Sequence, residues 1–377
     1  MRALTLALIL HFTLNPLVFL RGRLSLRHYK PLLNLWTIIF ASELLLYITV
    51  FLFYRILPPS LVQFGRVLGT SWMLFIIYLG GIFFLFDFFY LVFKRQLNKP
   101  RLIVGQPHKM GLIIFSTILI IIISILSYGR FEFKNPSVNN ININIDKNGN
   151  KYDSLRVLVV GDMHLGYTIN YNDANRMVNL IMDQKADLIL MIGDIIDSSL
   201  EPLLEQNVGN ILKRLHAPLG VYSCPGNHEY RLEAEEKIKF LNDAGITILR
   251  DTAIMVDSSF YIIGREDWVM DSRLSTKQIL QDNNVDMSKP VFLLNHSPYD
   301  LSEDTNAKVD IALFGHTHHG QSFPGNIATN MKFEVAYGYK KKDNTNIYVT
   351  SGIGLAGPQH RIGTKSEVAI LHITFNK

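Results

Sequence analysis

Four long apolar stretches dominate the first third of the chain and limit what it can fold into. They cover residues 4–20, 35–57, 68–93 and 111–128 of the 377-residue sequence. A helix needs about 20 mostly apolar residues to cross the hydrocarbon core of a bilayer. We therefore predict a transmembrane region of four helices over residues 1–128. A signal peptide is the alternative for the first stretch because Arg2 precedes its apolar core, but no small-residue cleavage site follows it.

Basic residues are concentrated beside these stretches. Residues 1–134 contain 14 Lys and Arg against 3 acidic residues, whereas the rest of the chain contains 23 against 29. The net charge of +5 therefore does not indicate a nucleic-acid-binding protein, because the second part is mildly acidic. The basic residues lie in two short loops, one with Arg21, Arg23, Arg27 and Lys30, the other with Lys94, Arg95, Lys99, Arg101 and Lys109. Because such loops stay in the cytoplasm, we expect a multi-pass protein of the cell or inner membrane whose remaining chain lies outside the cytoplasm.

Two acidic residues, Glu43 and Asp87, lie within the apolar stretches. An ionisable side chain inside a membrane is costly, so it marks a functional site by default. The alternative is a carboxyl group that faces the helix bundle and is hydrogen-bonded to a neighbouring helix. The single cysteine, Cys224, precludes an intrachain disulfide and leaves the redox compartment open.

The composition and the apolar pattern of the sequence change after Tyr128. Residues 129–154 are rich in Asn and predict a linker with one edge strand at Ile141–Ile145. Short apolar runs that end in polar turns follow, at residues 155–164, 186–197, 219–229, 289–298 and 309–319, with helical patterns at 172–185, 201–214 and 232–244. Strands that alternate with helices predict an α/β domain over residues 155–377 with a mostly parallel sheet. Ligands bind beyond the carboxyl ends of such strands, so the five turns are expected to converge.

The five turns are rich in side chains that bind metal ions. They contain Asp162, His164, Asp194, Asn227, His296, His316 and His318. A set of imidazole, carboxylate and amide groups without a thiolate suits Mn, Fe or Zn rather than a soft copper site. Seven ligands are too many for one ion that keeps open positions, so we expect two divalent ions that share a bridging carboxylate.

The turns read GDMH, GDIID, GNHE, NHSP and GHTHHG. In this order they resemble the five signature blocks of the calcineurin-like metallophosphoesterase superfamily, over residues 155–377. The sequence around GHTHHGQ is most similar to the membrane-associated branch with a GHTHGGQ motif. The resemblance implies an α/β/β/α fold, a sandwich of two mixed sheets flanked by helices. It also implies that Asp162, His164, Asp194 and His318 hold one ion, and that Asp194 bridges to a second ion bound by Asn227, His296 and His316.

The implied activity is that of a metal-dependent phosphoric ester hydrolase. Two cations about 3.5–4 Å apart polarise phosphoryl oxygens and lower the pKa of a bound water, so a metal-bridging hydroxide would attack phosphorus. His228 would stabilise the developing charge or protonate the leaving oxygen, and Glu229 would orient that imidazole. The expected substrate is a phosphomonoester or phosphodiester, a phosphorylated small molecule or a lipid-linked or envelope-derived compound. The alternatives are a pyrophosphatase acting on a lipid-linked sugar nucleotide, and a non-catalytic metal-binding scaffold or sensor.

Several residues depart from the family pattern or have two interpretations. His319 stands where the related branch has Gly, and it either approaches the site or faces solvent. Arg361, in PQHRIG, either contacts a phosphate or lies on the surface. Asp197 is interpreted as a helix N-cap, and Cys224 as a strand residue near the site.

Overall fold

The structure is a computed structural model that describes residues 2–97 and 108–376. The chain packs as two units. The first contains Met1–Arg130 and Gly357–His360, and the second contains Phe131–Ala356 and Arg361–Lys377. The second basic loop of the topology prediction, Lys94–Lys109, lies largely outside the described residues.

The first unit is built from long helices. They are α1 (Arg2–Leu26), α2 (Lys30–Phe53), α3 (Pro59–Leu97) and α4 (His108–Lys134), the last four residues of which belong to the second unit. Aromatic side chains, including Trp36, Phe40, Phe83 and Phe115, form much of its buried core. The segment Gly357–His360 packs with these helices, where His360 Nδ1 lies 2.8 Å from the Leu126 carbonyl oxygen.

Three helices, not four, are long and apolar enough to cross a membrane among the described residues. These segments are Lys30–Phe53, Pro59–Phe93 and Lys109–Lys134. The predicted first span, residues 4–20, is helical within α1, but the side chains of residues 1–10 lie outside the described residues, so the fourth span stays a prediction.

Both acidic residues of the apolar stretches face neighbouring helices. Glu43 is 6% exposed, and its Oε2 lies 3.7 Å from Nε2 of His11 on α1. Asp87 on α3 forms an ion pair with Arg21 on α1. Both carboxyl groups therefore contact α1, as the bundle-facing interpretation expects.

The second unit contains twelve strands in two six-stranded sheets. The strands are β1 (Ser137–Ile145), β2 (Ser154–Val160), β3 (Leu188–Ile192), β4 (Val221–Cys224), β5 (Thr247–Ile248), β6 (Thr252–Val256), β7 (Phe260–Gly264), β8 (Val291–Leu294), β9 (Ile311–Phe314), β10 (Gly338–Lys342), β11 (Thr345–Val349) and β12 (Glu367–Phe375). The first sheet has the order β1-β12-β2-β3-β4-β5, and the second has the order β10-β11-β9-β8-β7-β6. Both are mixed, because parallel pairs such as β2–β3 and β8–β9 stand beside antiparallel pairs such as β12–β2 and β6–β7.

The two sheets pack face to face. Alternate residues of β2 explain the layers: Val157 and Val159 enter the core between the sheets, whereas Leu158 and Val160 face the helices outside. The period-2 alternation of strand side chains produces two cores from one apolar run. The edge strand predicted at Ile141–Ile145 is present and longer, since β1 pairs with β12 along its whole length.

Helices cover the outer faces of both sheets. They are α5 (Tyr171–Asp183), α6 (Glu201–Glu205), α7 (Val208–Leu212), α8 (Ala234–Asp243), α9 (Thr276–Asp282), α10 (Leu301–Asn306) and α11 (Gly325–Lys332). Residues of α5, α7 and α8 join the core outside the first sheet, and residues of α9 and α10 join the core outside the second. The predicted α/β/β/α sandwich is confirmed.

Candidate metal centre

The five polar turns meet at one end of the sandwich. They follow the carboxyl ends of β2, β3, β4, β8 and β9, which run in parallel pairs within the two sheets. The structure brings the seven predicted ligands together there. Among the described residues, three overlapping groups have donor atoms within 4.8 Å of one another: Asp162, His164 and His318; His164, Asp194 and His228; and Asp194, His296 and His316.

In the first group, the carboxylate of Asp162 and the imidazoles of His164 and His318 face one another. Nε2 of His164 lies 3.0 Å from Nε2 of His318. Oδ1 of Asp162 lies 3.8 Å from the former nitrogen and 3.5 Å from the latter. All three side chains are buried, so these donors face one another rather than solvent.

Asp194 connects the groups. Its Oδ2 lies 3.6 Å from Nε2 of His164 and 3.1 Å from Nε2 of His296. On the far side, Nδ1 of His316 lies 2.9 Å from Oδ1 of Asn227. The donors therefore form one continuous set with the Asp194 carboxylate in its middle.

The backbone of this set is unusual. Five of the seven predicted ligands have a positive φ: Asp162 (53°), His164 (49°), Asp194 (50°), His316 (66°) and His318 (48°). Left-handed backbone is costly for residues other than glycine, and it clusters at functional sites. The turns also rely on close approach, because a Cβ on Gly226 would lie 2.3 Å from Oδ1 of Asp194.

The donor set fits divalent ions. Two ligands that are each about 2.1 Å from one ion are at most ~4.2 Å apart, and the N···N and N···O distances above meet this limit. The second ring nitrogens of His296 and His316 are held as metal-binding histidines require. Nδ1 of His296 lies 2.7 Å from the Ile192 carbonyl oxygen, and Nε2 of His316 lies 3.0 Å from the Tyr299 hydroxyl. Nε2 of His296 is buried and faces Oδ2 of Asp194 at 3.1 Å, so one ion could be held by both atoms.

The pKa shifts in the pocket follow from burial and from the charges of its own side chains. Burial alone would raise the pKa of Asp194, but His296 and the other nearby imidazoles hold it well below its usual value. Burial, reinforced by the Asp194 carboxylate, raises the pKa of Asp162 to about 6. Burial also lowers the pKa of His316, to about 3. The pocket thus holds a carboxylate and a neutral imidazole at neutral pH, both of which are ligand forms.

His228 is oriented by Asp197 and not by Glu229. Nδ1 of His228 lies 2.7 Å from Oδ1 of Asp197, and its Nε2 lies 3.9 Å from Oδ2 of Asp194. Asp197 also approaches Nδ1 of His164, at 3.4 Å. The N-cap interpretation of Asp197 is corrected, because the next helix, α6, begins at Glu201 with Leu200 at its N-cap. The sequence signal was GDIID, which places a second carboxylate three residues after Asp194.

Glu229 has a different position from the one expected of it. Its buried carboxylate accepts hydrogen bonds from the backbone N–H groups of Asp194 (2.9 Å), Ile196 (3.0 Å) and Gly226 (2.8 Å). Glu229 therefore holds two of the metal-binding turns together. Lys237 of α8 adds to this, because its buried Nζ donates to the backbone carbonyl oxygen of His228 at 2.9 Å.

Arg361 does not lie on the surface, and its guanidinium is bonded to backbone carbonyl oxygens instead of being open to a phosphate. Its guanidinium is 0% exposed and donates to the carbonyl oxygens of His318 (2.8 Å), Ser351 (2.6 Å) and Gly354 (2.6 Å). Burial lowers its pKa to about 10, so it is still charged at neutral pH. Arg361 thus fixes the backbone that carries His318. Cys224 ends β4 with a buried thiol, as predicted.

Comparisons with known proteins point to a phosphoesterase. The model of the family "Calcineurin-like phosphoesterase" matches residues 155–320. A metallophosphoesterase of Helicobacter pylori strain J99 is 29% identical over 86% of this chain and 85% of its own length. One from Bacillus subtilis is 30% identical over 58% of this chain and 79% of its own length. A "transmembrane protein with metallophosphoesterase domain" of Danio rerio is 27% identical over 78% of this chain and 70% of its own length.

Proposed function

Because the chain belongs to the calcineurin-like metallophosphoesterase family, and so to the metal-dependent phosphoester hydrolases, we propose that it uses two divalent ions held by the seven converging ligands. The observation that carries this proposal is the position of Asp194, whose Oδ2 lies 3.6 Å from His164 and 3.1 Å from His296. Asp162, His164, Asp194 and His318 would hold one ion, and Asn227, His296 and His316 would hold the other with Asp194 shared between them. Mn, Fe and Zn suit these ligands.

When bound, two such ions polarise the phosphoryl oxygens and lower the pKa of a bound water. The chain's own contribution to the chemistry is the proton on His228. Since Nδ1 of His228 is held by Asp197 at 2.7 Å, its Nε2 is directed into the pocket. There it donates a proton to the oxygen of the leaving group.

The substrate is a phosphomonoester or phosphodiester, and we propose that it is lipid-linked or derived from the cell envelope. The three helices that are apolar enough to cross a membrane support this, because they tether the site to a lipid surface. Arg21, Arg23 and Arg27 precede the first of them, and Lys30 is its first residue. This basic segment stays in the cytoplasm, so an odd number of spans leaves the phosphoesterase domain outside.

The test of catalysis is an assay of the purified full chain in detergent. Chelated protein is reloaded with Mn²⁺, Fe²⁺ or Zn²⁺ in turn and supplied with a phosphomonoester and with the matching phosphodiester. We expect turnover of one ester class, restored by at least one ion to full rate at two ions per chain. Full activity at one ion per chain contradicts the dinuclear site, and no turnover with any ion contradicts the hydrolase.

The test of topology is protease treatment of intact spheroplasts. We expect digestion of the domain that follows α4 without lysis. Protection until lysis places the domain in the cytoplasm. That outcome supports the alternative substrate, a lipid-linked sugar nucleotide cleaved at its pyrophosphate.

A further inference from the structure

A groove of about 410 Å³ lies in the second unit at His319, the residue that follows the predicted ligand His318. Its walls are His319, Phe333, Tyr337 and Tyr339, together with polar side chains that include Asn330 and Lys340. Pockets of this size hold small organic ligands, and this one combines aromatic rings with polar side chains, Glu334 among them.

The groove shares its walls with the metal-binding turn. His319 directly follows the ligand His318 in the sequence, and the ring of Phe333 lies 6.3 Å from the ring of the ligand His316. Between these two ligands, the hydroxyl of Thr317 donates to the carbonyl oxygen of Ala336 at 2.6 Å. A phosphoryl group at the metal centre would therefore have its organic substituent within reach of the groove.

Two of the groove's rings are already stacked. The imidazole of His319 lies parallel to the ring of Tyr337, with 4.6 Å between centroids and 13° between planes. The Tyr337 hydroxyl is tied down by a hydrogen bond of 2.7 Å to Oε2 of Glu367, which is itself fully buried. Both rings are already held in place before a ligand binds. Stacking a third ring on them therefore costs the protein little side-chain entropy.

The backbone conformation of His319 also supports a binding role for its ring. Its φ is 49°, a left-handed conformation that suits glycine and costs energy for other residues. An imidazole held in such a conformation next to a ligand-binding turn indicates a role for the ring itself.

From these observations we infer that the groove is the leaving-group subsite of the enzyme, and that it takes a flat aromatic or heteroaromatic ring by stacking on the His319–Tyr337 pair. The inference rests on the proposed phosphoesterase function and narrows its substrate class. Asn330 and Lys340 also line the groove, where Lys340 pairs with Glu334 at 3.0 Å, and such polar side chains can bind the substituents of a ring.

The test is the binding of three phosphonates, which are not hydrolysed, to the manganese-loaded full chain in detergent. The three are 2-phenylethylphosphonate, 2-cyclohexylethylphosphonate and ethylphosphonate, and calorimetry gives each Kd. Aromatic stacking is worth about 0.5–1.5 kcal/mol beyond the buried area. We therefore expect the phenyl compound to bind roughly two- to tenfold more tightly than the cyclohexyl compound.

Two variants locate the effect. His319→Asn removes the ring but keeps a residue that tolerates positive φ, and it should bring the phenyl-to-cyclohexyl ratio of Kd values to about one. The matched control is His372→Asn on β12, whose imidazole bonds to Asn140 outside the groove and which should keep the wild-type ratio. Metal content and Tm are measured for both variants, so that a damaged turn is recognised.

The outcomes separate the two proposals. Binding of all three phosphonates with equal Kd overturns the ring subsite and leaves the phosphoesterase proposal standing. Equal binding of the phenyl and cyclohexyl compounds, both tighter than ethylphosphonate, shows an apolar subsite and overturns the flat-ring assignment. If none of the three binds, the phosphoryl site itself is refuted, and the subsite falls with it. A His319→Asn protein that is fully metal-loaded and keeps the wild-type ratio also overturns the inference.

Discussion

Replacing Asp197 with Asn tests how the proton donor is held. Oδ1 of Asp197 lies 2.7 Å from Nδ1 of His228, and the side chain is 27% exposed. A hydrogen bond to a charged group contributes about 1.5–3 kcal/mol, and one between neutral groups about 0.5–1.5 kcal/mol. The substitution therefore removes about 1–1.5 kcal/mol from the protonated imidazole that the transition state requires, which is roughly a tenfold loss of turnover.

The structure also limits the loss. The backbone carbonyl oxygen of Asp197 lies 2.8 Å from the same nitrogen of His228, and the substitution does not change it. The ring thus keeps one partner, so we expect kcat to fall about tenfold and not to vanish.

The assay compares kcat of the manganese-loaded full chain for wild type, Asp197→Asn and a control. The control is Asp257→Asn, a solvent-exposed carboxylate that pairs with Lys151 and should leave kcat unchanged. Metal content is measured on every sample. An Asp197→Asn protein with full metal content and wild-type kcat would refute the assignment of Asp197 to His228.

Glu229→Gln is expected to affect stability, in contrast to Asp197→Asn, which is expected to affect turnover. The Glu229 carboxylate accepts three backbone hydrogen bonds, and an amide offers only one acceptor oxygen. We expect this variant to lose roughly 2–3 kcal/mol of unfolding free energy, which Asp197→Asn should not. Equal unfolding midpoints in urea for Glu229→Gln and wild type would contradict the structural role of Glu229.

Three further predictions concern the metal ligands and their support. Asp194→Asn should abolish turnover with the fold retained by circular dichroism, and wild-type turnover with two bound ions would exclude the bridging role. His228→Ala should lower kcat about a hundredfold or more at unchanged metal content, whereas loss of metal would identify His228 as a ligand. Arg361→Met leaves several carbonyl oxygens without their donor and should lower the unfolding free energy by about 3–5 kcal/mol, measured in urea. A loss below about 1 kcal/mol would contradict the buried role of Arg361.

Local signals predicted much of the second unit. Each apolar run followed by a polar turn is a strand that ends at the metal centre, as β2 with Asp162 and β3 with Asp194 show. A buried parallel strand needs a continuous apolar run, and a turn that carries ligands needs Gly beside Asp, His or Asn. Both requirements are visible in a single sequence.

What depended on distant contacts was not predicted. The burial of Arg361 comes from carbonyl oxygens at Ser351, Gly354 and His318, and no local pattern reveals them. The exposed strand β10, with Lys340 to Lys342 in a row, has no apolar alternation because it is an edge strand.

The left-handed backbone at the ligand turns sets stability and activity against each other. At Asp162, His164, Asp194, His316 and His318 the positive φ favours glycine, whereas metal binding demands a carboxylate or an imidazole. Directed evolution of this domain for heat resistance alone, with chelator present, should therefore enrich glycine at these positions. Variants recovered in this way would be more robust than the parent protein and would no longer bind metal. A screen for thermostable forms of this enzyme has to reward turnover in every round.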